Sequence, residues 1–555
     1  MSFIYKLFVK SPFLLDPINM NTPSINKERL NIILLSSCVI FFFLLPLSGK
    51  IVFSTWDDYM LTLITSGAYT GNPSPYTIFE GYLYSSFIAF LYSLSNQFEW
   101  YSVVQHFLSI LAFVVICWNL FKSKITPVLV YILFSVIFVV QLGILLAPTF
   151  TLCAAELSLA ALVILLNCRG NIKNEIFASL LFLIGAEIRF QAVFLPLIVL
   201  VPIILYSQKK KFYYSKEFLR TLIVLACMLI GAFACRSYSN FIYNSDKDWQ
   251  YYSKYNSARG YLNDNPNSID AMKLLPDDNK KIEYDLIIHY RVNDGNIINA
   301  DELTKCANYI KDNYSKSVLY NLISYIRTII RLDGLWAFVF CVILVFELIR
   351  KHNYKLLMIL FWGCLSVLLA CMYMASISVA KERTIIPLLS ALYFLMIWCA
   401  FQMNIRYFRY LLIAFSLIVV INWGNRIKHT FNYNTNTISE IEKVNVFLSD
   451  VHIAKLLVHH RVPIAGEAFH YSQSPIARKL VRAGWLTNAP ITKVYYAGFP
   501  SYIQGLPYMY NKNNISYIKK TQSLIKGYYG IDTERVIISE NEDYVVEKLV
   551  VSTQN

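Results

Sequence analysis

The sequence predicts an all-α polytopic membrane protein of about eleven transmembrane helices, carrying an external C-terminal α/β domain. Three observations predict it. Of 555 residues, 56% are hydrophobic and 15% charged, whereas soluble domains hold about a quarter charged residues. Long apolar runs recur from Asn31 almost to Trp423, each near the ~20 helical residues that cross a bilayer. Lipid offers no hydrogen bonds to bare backbone, so such runs are helices. The Lys and Arg behind the net charge of +15 gather in short loops, at Lys122 with Lys124, at Lys209 to Lys211, and at Arg350 with Lys351. That is the positive-inside pattern of a membrane protein, so no nucleic-acid partner is expected.

The elements follow in order. Residues 1–30, with Lys6, Lys10, Lys27 and Arg29, are expected in the cytoplasm. A transmembrane module covers 31–424. Its first span, about 31–53, leads to an outer loop at 54–99. Spans at about 100–121, 127–147 and 150–167 follow, ending at Arg169 and Lys173. The apolar stretch 176–206 is too long for one span and carries Glu187 and Arg189, so it reads as two short helices meeting near the outer surface. A span at about 219–237 opens a polar external loop, 238–332. Spans at about 333–349, 356–375, 384–400 and 410–424 complete the module. The chain from 425 to 555 is richer in Tyr, Asn and Lys, and stretches such as Val536-Ile537-Ile538-Ser539 and Tyr544-Val545-Val546 read as strands. Most cysteines fall inside apolar runs, with no CxxC pair, so neither a disulfide framework nor a structural zinc is expected. The bilayer is the first partner, and the expected location is the cytoplasmic (inner) membrane.

Four groups of residues carry potential chemistry. Asp57 and Asp58, in Trp56-Asp57-Asp58-Tyr59, lie just past the first span. A carboxylate at a lipid–water boundary can accept a proton from a hydroxyl, and two together can bind a divalent cation such as Mg²⁺ or Mn²⁺. Both are therefore candidate catalytic and metal-binding residues. Behind them, Tyr82, Leu83, Phe87, Ile88, Phe90, Leu91 and Leu94 would give an interfacial helix an apolar side. Glu187-Ile188-Arg189 is either a turn braced by an ion pair or, through Arg189, a phosphate site, because a guanidinium fork matches phosphate oxygens. Lys381-Glu382-Arg383 faces the same side as Asp57 and can stabilise a departing phosphate. Arg259, among Tyr251, Tyr252, Tyr255 and Tyr261, is a candidate for a sugar or phosphate contact, and Glu156 for a buried polar one.

A first span, an outer acidic pair and an amphipathic interfacial stretch together resemble the C-type glycosyltransferase superfamily, over roughly residues 30–425. The stretch Gly67-Ala68-Tyr69-Thr70-Gly71-Asn72-Pro73-Ser74-Pro75, with Tyr255-Asn256-Ser257-Ala258-Arg259, is similar to uncharacterised membrane proteins of bacterial polysaccharide loci. The superfamily resemblance implies an inverting transferase that takes sugar from a polyprenyl-phosphate donor and passes it to a glycan or lipid-linked glycan acceptor. Asp57 would then be the base, Asp58 its support, and Arg189, Arg259, Lys381, Arg383 and Glu156 the substrate contacts. A polysaccharide polymerase or ligase is the neighbouring reading. A lipid or glycan transporter would show inverted repeats or paired broken helices, and the sequence shows neither. Motifs of metalloproteases, serine hydrolases and P-loop ATPases are absent from the sequence.

Overall fold

The protein is described by a computed structural model covering residues 24–123, 126–167, 171–207, 216–289, 296–313, 317–376, 380–403, 406–459, 462–482, 485–486, 488–493 and 506–552. The basic residues Lys6, Lys10, Lys124, Arg169 and Lys209 to Lys211 lie outside them.

Each apolar run expected to span is helical. The membrane module begins with α1 (Ser24–Leu44), α2 (Trp56–Ser66), α3 (Tyr82–Leu94), α4 (Trp100–Phe121), α5 (Pro127–Leu146), α6 (Phe150–Asn167), α7 (Ile172–Ile188), α8 (Phe194–Ser207) and α9 (Lys216–Ser245). A polar section follows with α10 (Lys247–Asn263), α11 (Asp278–Ile288) and α12 (Ala300–Asn313). The chain then re-enters the bundle through α13 (Ser317–Ile329), α14 (Leu335–Arg350), α15 (Tyr354–Ala375), α16 (Glu382–Met403) and α17 (Arg406–Ser449). Among the described residues eight helices are long and apolar enough to cross a membrane, or nine if α13 and α14, bent by 85° at their junction, form one span. The expected figure of about eleven also counted α7 and α8. These are 17 and 14 residues long, the pair of short helices read from 176–206.

Two boundaries move. The first helix gives way at Leu45–Ser48 and Gly49 (φ 61°), so residues 49–55 leave the bundle in a non-helical run. The last helix does not stop at 424 but runs unbroken to Ser449, because no Pro or Gly interrupts residues 425–449. The chain end is the expected α/β unit: a five-stranded sheet in the order β2 (Leu480–Arg482), β1 (Leu456–Val458), β3 (Tyr508–Asn511), β5 (Tyr544–Val551), β4 (Thr533–Glu540), with α18 (Ile515–Tyr529) before the β4–β5 hairpin. β2, β1 and β3 are parallel, and β3, β5 and β4 antiparallel.

The two polar sections, separate in sequence, share one core. Tyr255, Leu262, Tyr284, Leu303 and Ile310 pack with Leu457, Tyr508, Tyr510, Ile525 and Leu549. The combined body is strapped to the loop after α1. Ala468 N–H donates to the Ile51 carbonyl at 2.8 Å, the Ser102 hydroxyl to the Ala468 carbonyl at 2.6 Å, and the Tyr59 hydroxyl to the Gly466 carbonyl at 2.8 Å. This places the acidic pair of α2 at a junction between bundle and C-terminal domain.

Candidate active site

The site is built outward from the first turn of α2. Thr55 is its N-cap in extended conformation, and Asp58 stands three residues on, the spacing of a capping box. The Thr55 hydroxyl donates to Asp58 Oδ2 at 2.6 Å. Asp58 Oδ1 accepts from Phe150 N–H at 3.0 Å and from the Tyr101 hydroxyl at 3.2 Å. Asp58 is 0% exposed, and its carboxylate knits α2, α4 and the N-terminus of α6 together, where a negative charge is favoured. Burial pushes its pKa up to about 6, opposed by the hydrogen bonds from Thr55 and Phe150 and by the charge of Arg383.

Asp57 points elsewhere. Its side chain is 26% exposed and faces Arg383, whose Nη1 and Nη2 lie 3.4 and 3.5 Å from Asp57 Oδ2. Arg383 comes from the first turn of α16. Arg189 enters from the other side, at the turn after α7. Its Nη1 donates to the Phe79 carbonyl at 3.0 Å, and its guanidinium sits 5.2 Å from the Phe150 ring centre and 5.6 Å from that of Phe79, within cation–π range. Glu187 does not pair with Arg189. Its carboxylate accepts Tyr84 N–H at 3.1 Å and its carbonyl accepts Gly81 N–H at 2.6 Å, so it caps the start of α3. Of the two readings of this turn the ion-pair brace does not form: Glu187 and Arg189 make separate contacts, and Arg189 lies within electrostatic reach of Arg383, Asp57 and Glu80.

A third carboxyl, absent from the sequence reading, completes the cluster. Glu80 is 1% exposed. Its Oε2 accepts from the Ser85 hydroxyl at 3.3 Å, the Tyr101 hydroxyl that donates to Asp58 stands beside it, and among the described residues Oε1 has no hydrogen-bond partner. Burial pushes its pKa up to about 8. Burial thus favours the protonated form of Glu80 more strongly than that of Asp58, whose hydrogen bonds from Thr55 and Phe150 oppose the shift. Environments that part the pKa values of neighbouring carboxyls separate their roles. Glu80 follows Ile78, which has φ 58°, with Phe79 N–H donating to the Thr77 carbonyl at 2.7 Å. A β-branched residue in the left-handed region costs about 1–3 kcal/mol, and such strain gathers at functional sites. Glu80 is the one charged residue between Asp58 and Glu99, the signal that marks it in the sequence.

Below this polar cluster lies an apolar cavity of about 310 Å³ between α4, α5, α6 and α16. Residues of α16 from Ile386 to Phe401 line it, about 22 Å of helix at 1.5 Å per residue. Arg383 stands one turn before Ile386. Arg189 lies on Phe150, two residues before the lining residue Leu152. A smaller cavity of about 60 Å³ continues toward α17, past Leu332, Val419 and Trp423.

No protein-family model matches this chain, and no curated protein does. Two solved structures are similar to it. ArnT from Cupriavidus metallidurans bound to undecaprenyl phosphate shares 11% identity at a TM-score of 0.41, and the same protein in the apo state shares 10% at 0.42; each comparison covers 93% of this chain and 97% of that one.

The remaining sequence-predicted residues lie at the margins. Lys381 turns away from Asp57 and pairs with Asp264 at 2.8 Å. Arg259 is buried against its own helix, donating to Asn256 Oδ1 at 2.8 and 3.0 Å and to Asn263 Oδ1 at 2.8 Å, and the structure does not bring it to the carboxylates. Its aromatic neighbours bind protein. Tyr252 donates to the Trp485 carbonyl, Tyr255 accepts from Asn488 at 3.0 Å, and Tyr251 accepts from Ala300 N–H at 3.2 Å. Glu156 lines the large cavity, with the Ser109 hydroxyl 2.7 Å from Oε2. As for a divalent cation, no three His, Cys, Asp or Glu side chains cluster as a metal site would require among the described residues. Asp57 already faces a guanidinium, and Asp58 accepts from three donors. This donor set does not fit a bound cation.

Proposed function

We propose that the protein is a membrane glycosyltransferase that takes a sugar from a polyprenyl-phosphate donor and passes it to a hydroxyl of a glycan or lipid-linked glycan. The observation that carries this is the meeting of Asp57 and Arg383 at the head of a long apolar cavity. An isoprenoid chain requires a narrow apolar slot within the bundle, and its phosphate requires fixed positive charge at the slot's polar end. The cavity along α16 supplies the first, and Arg383 with Arg189 the second.

The chemistry follows from the positions. The phosphate oxyanion competes with Asp57 for the Arg383 fork, because a guanidinium binds phosphate and carboxylate by the same geometry. Donor arrival therefore releases the Asp57 carboxylate. The acceptor hydroxyl attacks the anomeric carbon as Asp57 takes its proton. The bond from that carbon to the phosphate oxygen breaks, and the electron pair leaves on a phosphate stabilised by Arg383 and Arg189. A single displacement inverts the anomeric carbon. Asp58 holds the turn that aims Asp57, with Tyr101 and Glu80 behind it. The basic-loop pattern supports a reaction on the outer face of the cytoplasmic membrane. The test is transfer of radiolabelled sugar from a synthetic polyprenyl-phosphate donor by protein purified into nanodiscs. Turnover that vanishes without the lipid donor supports the reading; equal use of a nucleotide sugar overturns it.

A further inference from the structure

The three consecutive residues Lys381, Glu382 and Arg383 each hold a different part of the molecule, and only Arg383 is used by the chemistry above. Lys381 Nζ binds Asp264 Oδ2 at 2.8 Å, the residue that ends α10 in the polar section. Glu382 pairs with Arg331, in the short turn Ile330–Gly334 where α13 bends into α14, and with Arg426 on α17. Arg426 lies 5.2 Å from the Trp423 ring centre, and Trp423 packs so closely on Gly143 of α5 that a Cβ there would sit 2.8 Å from the indole. Arg383 then reaches Asp57 on α2. The junction is locked locally as well, with Thr384 N–H and its hydroxyl donating to the Lys381 carbonyl at 3.0 and 2.8 Å.

We propose that Lys381 and Glu382 are positioning residues of the donor phosphate subsite. They fix the first turn of α16 against the polar section, the α13–α14 bend and α17, so that the Arg383 fork is held at the head of the apolar cavity. This rests on the donor reading given above. An arginine is a long, rotamer-rich side chain, and its value as a phosphate ligand lies in a preset fork. Four elements converge on this turn, so displacement of any one moves the fork. Trp423 and Leu332, each close in sequence to a partner of Glu382, line the smaller cavity.

The consequence separates binding from chemistry. Loosening the junction weakens the grip on phosphate while leaving the Asp57 base in place. Glu382→Gln should raise KM for the lipid donor about three- to thirtyfold, the range of residues that act on a site through packed neighbours, with kcat within about threefold. The Lys381–Asp264 pair offers a cleaner test. It is about one-third exposed and adds little to global stability, so its loss reads out at the site and not as unfolding. Lys381→Asp and Asp264→Lys should each weaken binding of sugar-free polyprenyl phosphate, measured on nanodisc protein, and the double swap should restore it, a coupling that only a direct pair produces. Singles that bind as wild type overturn the proposal, as does a double swap no better than the singles. A wild-type protein that binds polyprenyl phosphate no better than Arg383→Ala overturns the donor reading itself, and this proposal with it.

Discussion

Asp57→Asn separates catalysis from structure, and the structure sets both magnitudes. The carboxylate and the Arg383 guanidinium are 3.4 Å apart at closest approach, with side chains 26% and 19% exposed. At an effective dielectric near 20 the gross attraction is about 5 kcal/mol. Desolvation and side-chain ordering offset most of it, leaving about 0.2–1 kcal/mol for a pair in partial contact with water. Removing the charge therefore lowers the denaturation midpoint by no more than about 4 °C. The catalytic loss is of another order. A positioned base contributes about a hundredfold to ten-thousandfold, or about 2.7–5.4 kcal/mol of barrier.

The kinetic signature is also specific. In Asp57→Asn the Arg383 fork no longer has a carboxylate competitor, so KM for the lipid donor stays level or falls while kcat collapses. Asp58→Asn differs, because that side chain is fully buried with three donors upon it; it should cost folded yield before it costs chemistry. The assay is sugar transfer in nanodiscs with thermal denaturation of the same preparations. Asp57→Asn turnover above a tenth of wild type refutes the base assignment, and the polymerase or ligase reading then leads.

Arg189→Lys keeps a charge but loses the fork and the stacking on Phe79 and Phe150; kcat/KM should fall about tenfold or more, and unchanged donor affinity would reduce Arg189 to a brace for the turn. Asp58 and Glu80 titrate near 6 and near 8 in the fold, against about 3.9 and 4.3 unfolded. Both folded values are raised, so their contribution to stability is full below about pH 4 and is lost as pH rises through 6 and then 8. The denaturation midpoint should therefore decline from pH 5 to 8.5, and Glu80→Gln should flatten the upper half of that decline; a wild-type midpoint that rises over this range contradicts the burial of these groups. At Gly81 a Cβ would sit 2.3 Å from Glu187 Oε2, so Gly81→Ala should uncap α3 and cost about 1–3 kcal/mol, read as a lowered midpoint. On a background without Cys306, single cysteines at Ser74 and Ser539 should label in intact cells, and one at Ser123 only after permeabilisation; a cytoplasmic Ser539 would put the span count wrong by one.

What was legible in the sequence divides along physical lines. Apolar runs of bilayer length declare themselves because lipid leaves the backbone one choice, and the structure returns a helix for each. The strands at Val536 and Tyr544 follow from local composition. Helix α17 beyond 424 was missed because its polar residues signalled a new domain, although nothing in them breaks a helix. The joining of the polar section to the C-terminal sheet has no local signal at all. It is carried by contacts such as Tyr255 with Asn488, more than two hundred residues apart.

The site divides in the same way. A charged residue at a membrane boundary is expensive, so each one that persists there marks a place worth naming, and Asp57, Asp58, Arg189 and Arg383 were nameable on that ground. Their partners were not, since pairing is a property of the packed bundle. Spacing alone weighs against the ion-pair alternative for Glu187 and Arg189, because residues two apart on a helix do not face each other. Glu80 is the sharper lesson. It is the one charged residue in the forty from Tyr59 to Phe98, where a solvated loop would carry several charges. One carboxyl in such a stretch must be buried or at a site, and here it is both. Burial raises its pKa further than that of Asp58, and so favours its protonated form the more strongly. The fold has thus assigned three neighbouring carboxyls three different environments, with one open to the Arg383 fork, one locked as a strut and one holding a proton.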